Sequence, residues 1–188
     1  AACRQGTDGG PLKIVGMIVN IDEEKRMIDS LRKKAERDPL TNLYNKAAIQ
    51  HLIEQYLAAH PDDQCALLMI DIDNFKFAND TMGHLFGDVL LTDLSASICG
   101  ETRVSDLVGR VGGDEFLVLL KGVSSPQAAF QKSLRFLTLA QKLFQEKHHI
   151  SISCSIGISL FPADGRDFRS LYQCADIALY QAKRKGKN

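Results

Sequence analysis

The chain has 188 residues, 45% apolar and 24% charged, with 23 Lys and Arg balanced by 23 Asp and Glu. This suits a globular domain of ordinary size plus an appendage, and zero net charge argues against a coat for nucleic acid or an anionic membrane surface. No apolar run is long enough to span a bilayer and no segment reads as a signal peptide; five scattered cysteines (Cys3, Cys65, Cys99, Cys154, Cys174) without a C-x-x-C pair suit reduced thiols in a cytoplasmic compartment better than disulfides or zinc.

Residues 1–21 read as the edge of something larger: Gly6 to Gly10 is turn chemistry and Pro11 to Ile21 is β-rich, yet one strand cannot be a domain. Asp22 offers an N-cap for a charged helix running to about Arg37. Ile21, Ile28 and Ala35 recur at seven with Leu31 between them, a thin seam that fits either a coiled-coil linker or a solvated connector. Pro39 ends that helix, and Asn45 can cap the next, whose apolar face (Ile49, Leu52, Ile53, Tyr56, Leu57) lasts until Pro61. Cys65 to Ile70 is a continuous apolar run, hence a strand buried on both faces, and it ends in Asp71-Ile72-Asp73. An apolar helix covers about Asp88 to Cys99. Two short apolar runs around Gly112-Gly113 then form a β-hairpin, with glycine expected to supply positive φ at the turn. A helix near Gln127–Gln145, an alternating strand over Ile150–Leu160 and a last amphipathic helix from Asp167 to about Lys185 follow.

This order predicts an α+β fold, a ferredoxin-like or polymerase-palm-like sheet with a central hairpin and helices packed on one face. The first buried strand should lie beside the hairpin, so that Asp71 and Asp114 meet at one edge of the sheet. Asp114 and Glu115 leave the hairpin tip on opposite faces, and adjacent carboxylates repel unless a cation offsets them. An all-oxygen cluster suits Mg²⁺ or Mn²⁺, which keep waters and share phosphate oxygens. Polymerase-like nucleotidyl transfer uses such clusters. Lys76 and the run Lys183 to Lys187 could counter a triphosphate, although any one of these lysines alone reads equally as a solvated surface residue. P-loop and Rossmann glycine motifs are absent from the sequence.

Gly112-Gly113-Asp114-Glu115-Phe116 is the name-giving signature of the GGDEF family, the diguanylate cyclases, and the chain resembles that family across residues 38–188. The ordered matches include Asp38-Pro39-Leu40-Thr41, Asp71 to Lys76, Asn79-Asp80, Gly83-His84, Gly87-Asp88, Ser155-Ile156-Gly157 and Ala175 to Tyr180. The resemblance implies that two GTP condense to cyclic di-GMP with release of two pyrophosphates. Each domain of a homodimer holds one GTP, and each 3′-hydroxyl attacks the other's α-phosphate. It also implies roles: Asp71, Asp114 and the Ile72 carbonyl as metal ligands, and Glu115 near the reacting hydroxyl. Gly112 and Gly113 clear the approach of the phosphates. Lys76, Lys183 and Lys187 meet phosphate, with His84 on the substrate side. Asn79 and Asp88 read guanine, and the physics agrees, since guanine's N–H donors match carboxylate and amide oxygens.

Arg103-Val104-Ser105-Asp106, nine residues before Gly112, resembles the family's inhibitory product site R-x-x-D; its plain alternative is a surface ion pair. Arg135 is a candidate for the further arginine that a partner surface usually adds to such a site. Asn42 and Lys46 replace the family's usual Gly and Arg, which should affect turn geometry more than chemistry, and Lys187 replaces an Arg, losing a bidentate fork. The chain stops at Asn188, where the family usually continues into a further strand, so a sheet edge is expected to be bare. More faintly, residues 11–37 resemble the last strand of a PAS sensor domain and its signalling helix, which implies an upstream sensor. The implied partners are GTP, cyclic di-GMP and a second copy, with no nucleic acid. A catalytically silent receptor for GTP or cyclic di-GMP is the alternative to an active cyclase; intact metal acids and signature glycines favour the enzyme.

Overall fold

The computed structural model describes residues 22–186, so the β-rich stretch over 1–21 and Lys187 lie outside the described residues. The chain divides between Ala35 and Glu36 into two units. Helix α1 (Asp22–Glu36) carries the described part of the first, with Met27 and Leu31 exposed four residues apart along it. Among the described residues, no helix is long and apolar enough to cross a membrane.

The second unit runs α2 (Lys46–Ala59), β1 (Cys65–Ile72), α3 (Phe75–Met82), α4 (His84–Glu101), β2 (Leu107–Arg110), β3 (Glu115–Lys121), α5 (Pro126–Lys142), a π-helical turn (Leu143–Lys147), β4 (Cys154–Phe161) and α6 (Phe168–Arg184). The sheet order is β2-β3-β1-β4 with every neighbour antiparallel, so β1 does lie beside the hairpin. Local chemistry starts the helices: Asn45, as expected, and also Ser125 and Asp167 each accept the amide hydrogen three residues on.

The helices cover both faces of the sheet, not one. Ala66, Leu68, Ile70 and Ile72 of β1 pack in the core with α4 and α5, while Cys65, Leu67 and Met69 pack with α2 and α6. A strand that is apolar at every position demands cover on both sides. Burying each such Leu or Ile contributes roughly 1.5–3 kcal/mol over leaving it exposed. The backbone of α6 rests directly on β4. A Cβ on Gly157 would lie 2.0 Å from the Ala175 carbonyl and 2.5 Å from the Leu179 amide nitrogen.

Two elements differ from the sequence reading. Helix α3 was not expected, and α4 starts at His84 rather than Asp88, because a single bent residue, Gly83 at φ +88°, separates them. Strand β4 starts at Cys154 rather than Ile150, whose amide instead donates to the Phe144 carbonyl at 2.9 Å. Asn42, where the family has Gly, sits at φ +58°, a region that asparagine tolerates better than most residues.

Candidate active site

The acids collect where β1 stops and the hairpin turns. Asp71 pairs in register with Glu115 on one side and Ser155 on the other, and only 6% of its surface is exposed. From the last turn of α6, Lys183 brings its Nζ within 2.7 Å of Asp71 Oδ1. Burial pushes the Asp71 carboxyl above its ordinary range; Lys183 pulls it down, and the Asp114 and Glu115 charges push it up again, leaving it raised.

The hairpin loop spans Val111 to Asp114, and neither Gly112 nor Gly113 adopts positive φ, contrary to expectation. A four-residue loop closed by Val111 N–H donating to Glu115 O at 3.0 Å does not need the left-handed backbone of a two-residue turn. The glycines serve space instead. A Cβ on Gly112 would lie 2.5 Å from Glu115 Oε2, so that glycine first makes room for Glu115; Gly113 has open space around it. Arg110 clamps the tip, donating from Nη2 (2.7 Å) and Nε (3.2 Å) to the Gly113 carbonyl and from Nη1 (3.1 Å) to Asp38 Oδ1. Burial would raise the Asp38 carboxyl, but hydrogen bonds from Thr41 and Arg110 outweigh it and hold the group below its usual value.

Ile72 donates its N–H to the Asp114 carbonyl at 3.3 Å, and Asp73 donates its N–H to the Ser153 carbonyl at 2.8 Å on the other side. A trans peptide points the Ile72 C=O opposite the Asp73 N–H, hence toward the hairpin tip. Among the described residues, no three His, Cys, Asp or Glu side chains converge as a metal-binding group. Asp71 does sense the charges of the carboxylates of Asp114 and Glu115. These are hard oxygen donors, and so small a set leaves positions open for water and phosphate.

On α3 and α4 the other candidates follow in sequence. Lys76 is exposed in the first turn of α3, and His84 and Asp88 are exposed in the first turns of α4. Asn79 Oδ1 is buried and accepts no hydrogen bond among the described residues. It lies where a Cβ on Gly87 would be, 1.9 Å away, so Asn79 holds its position only because residue 87 is glycine. An unpaired buried acceptor is costly unless a ligand supplies the donor.

Arg103 and Asp106 lie elsewhere. Their contact is not an ion pair of side chains: Asp106 Oδ2 accepts the Arg103 amide at 2.8 Å, and Oδ1 accepts the Lys121 amide at 3.0 Å. Lys121 closes β3, which has 7 residues, so this turn stands about 20 Å from the Glu115 end. A cavity of about 350 Å³ opens beside it, lined by Arg103, Asp106, Lys121, Gln131, Lys132 and Arg135. Arg135, which the sequence could not locate, thus shares a cavity with Arg103 in the same chain. The roles of Arg110 and Gly87 escape the sequence reading. Arg110 acts on a residue 72 positions away, and Gly87 is like any other helical glycine until Asn79 is placed against it.

The profile of the family described as "Diguanylate cyclase, GGDEF domain" matches residues 35–188. This chain belongs to the GGDEF domain family. It is 38% identical over 169 residues to the cyclic di-GMP phosphodiesterase PdeR of Escherichia coli K12, covering 89% of this chain and 25% of that protein. It is 37% identical over 162 residues to the diguanylate cyclase TpbB of Pseudomonas aeruginosa, covering 84% of this chain and 37% of TpbB. It therefore spans a quarter to little more than a third of these curated relatives. The solved GGDEF domain of TpbB from Pseudomonas aeruginosa superposes with a TM-score of 0.75 at 36% identity, over 80% of this chain and 90% of that one. A sensory box/GGDEF protein of Caulobacter crescentus gives 0.71 at 31% identity, over 80% and 99%. The GGDEF signature is thus carried on the family's fold.

Proposed function

We propose that this domain is a diguanylate cyclase, joining two GTP into cyclic di-GMP with release of two pyrophosphates. The observation that carries the reading is the convergence of Asp71, the hairpin acids Asp114 and Glu115, and Lys183 at one end of the sheet. Asp71, Asp114 and the Ile72 carbonyl would hold Mg²⁺ or Mn²⁺. Such a cation, when bound, supplies charge against the phosphate oxygens and favours ionisation of the attacking hydroxyl. Lys183 sits between Asp71 and solvent, and an incoming phosphate would compete for its ammonium. Lys76 adds a second cation and Lys187 a third. Asn79 and Asp88 offer acceptors to the N–H edge of guanine, and the unpartnered Asn79 Oδ1 supports that reading. Glu115 stands across the strand from Asp71, close to the reacting hydroxyl.

One chain offers one such site, whereas the product is made of two identical halves. A second copy therefore completes the reaction, each chain presenting its own nucleotide to the other. The cavity at Arg103, Arg135 and Asp106 is read as the place where product binds back; Arg103 and Arg135 would fork onto phosphate or guanine acceptors there. In the full-length protein an upstream sensor would set how the two copies meet.

Asp114→Ala tests the reading. It should abolish production of cyclic di-GMP from GTP with Mg²⁺ while leaving Tm nearly unchanged, because this carboxylate lies on a loop and not in the core. Near-normal turnover by the variant would remove Asp114 from the metal set. Nucleotide binding by the wild type with no release of pyrophosphate would make the domain a receptor rather than an enzyme.

A further inference from the structure

Asp73 is 2% exposed and, with Asp71, is one of two buried charged side chains among the described residues. Both of its oxygens are engaged by β4 and the residue just before it: Ser153 Oγ donates to Oδ2 at 2.6 Å and Ser155 Oγ donates to Oδ1 at 2.9 Å. A buried carboxylate answered by two neutral hydroxyls is an expensive way to pack a turn, where a neutral side chain would cost less. Its location suggests what it serves. Residues 73 and 74 are all that separates the end of β1 from the start of α3, so this turn joins the acid-bearing strand to the helix of Lys76 and Asn79. The Asp73 N–H shares one rigid peptide unit with the Ile72 carbonyl, and it is bonded to the Ser153 carbonyl at 2.8 Å.

We propose that Asp73 is a positioning residue: by clasping Ser153 and Ser155 it pins β4 against this peptide unit and so fixes the Ile72 carbonyl in its direction toward the hairpin acids. A carboxylate is needed because it only accepts, which commits the hydrogens of both serines to it. Ser155 stands in register with Asp71. With its hydrogen given to Asp73, it has none to give Asp71, whose lone pairs stay available for cations. The inference rests on the metal set proposed above.

The test is Mn²⁺ titration of the whole chain with a non-hydrolysable GTP analogue, free Mn²⁺ being read by electron paramagnetic resonance, and Tm measured on the same samples. Asp73→Asn introduces a donor, breaks the commitment of one serine, and should weaken Mn²⁺ about ten- to a hundredfold, as loss of a group orienting a metal ligand does. Ser153→Ala, which leaves Asp73 its Ser155 bond, should weaken it by a smaller factor in the same direction, and it decides the matter if Asp73→Asn does not fold. Unchanged affinity in both variants overturns the inference and leaves the metal set standing. Fewer sites per chain at unchanged affinity also overturns it, because that is what a purely structural residue would give. A wild type that binds no Mn²⁺ fails the metal set itself, and the inference with it.

Discussion

At the scale of single residues, Asp71 is where burial and chemistry pull against each other. Its carboxyl is raised by burial and by the neighbouring acids, and Lys183 opposes them. The ionised form is the one that holds Lys183 and would hold a cation. At subsaturating Mg²⁺, where protons compete with the cation for this group, the acid limb of the rate profile should therefore lie above the ordinary carboxylate range. Lys183→Met removes the opposing charge and should move that limb to still higher pH; profiles of kcat/KM against pH for both proteins read this directly, whatever the loss in amplitude. Stability carries the opposite sign. The folded state binds this proton more tightly than the unfolded chain, so the contribution of Asp71 falls as pH rises from the ordinary to the raised value. An acid limb that stayed put in the variant would detach Lys183 from Asp71 in solution.

At the scale of elements, the joint between α3 and α4 sets the residues proposed to read the base. Gly87→Ala places a methyl on Asn79 Oδ1 and must push that side chain out. The Michaelis constant for GTP should rise about tenfold or more with little change in Tm, since one good hydrogen bond to a polar ligand is worth about that factor; an unchanged constant would take Asn79 out of the base pocket. Most elements were legible in the sequence. The run Cys65 to Ile70, the paired apolar segments of the hairpin, and the helices capped at Asn45 and Asp167 all carry their own signal. Helix α3 does not: Lys76, Asn79, Asp80 and Thr81 make it polar, and it is held by the buried Ala78 and by α4 rather than by its own propensity. The second helical layer was implicit in the unbroken apolar run of β1, but an element order alone does not say which face each helix takes. The site was legible as a set of residues. Its arrangement was not, because the clamp of Arg110 on Asp38 and Gly113 and the seat of Asn79 on Gly87 depend on approaches that only folding creates.

At the scale of the molecule, the proposed nucleotide site and the proposed product site lie at the two ends of one strand. The cavity at Arg103 and Arg135 stands about 20 Å along β3 from the acids. On the proposed reading, a ligand there would restrain how two copies meet without touching the nucleotide, and the two sites would be linked through the assembly. Arg103→Ala should weaken binding of cyclic di-GMP by roughly one to two decades and keep progress curves linear to higher product, with initial rates little changed; equal inhibition of both proteins would leave this turn a structural feature only. Asp106 is a poorer probe, since it also holds the amides of Arg103 and Lys121. Distance matters in another way at β4. Because nothing but a hydrogen separates Gly157 from the backbone of α6, that contact acts as a thickness gauge for the whole layer. Lys183 lies eight residues beyond Ala175, about 12 Å farther along the helix, at the end of a lever that pivots on the contact. A methyl at residue 157 would need the helix to lift by at least about 1 Å to clear the Ala175 carbonyl, and the 2.7 Å contact of Lys183 with Asp71 is then kept only where its flexible stem re-extends. Gly157→Ala should therefore cost the enzyme more of its turnover than its loss in Tm accounts for, a mechanical fault transmitted from the middle of the sheet to its reactive end.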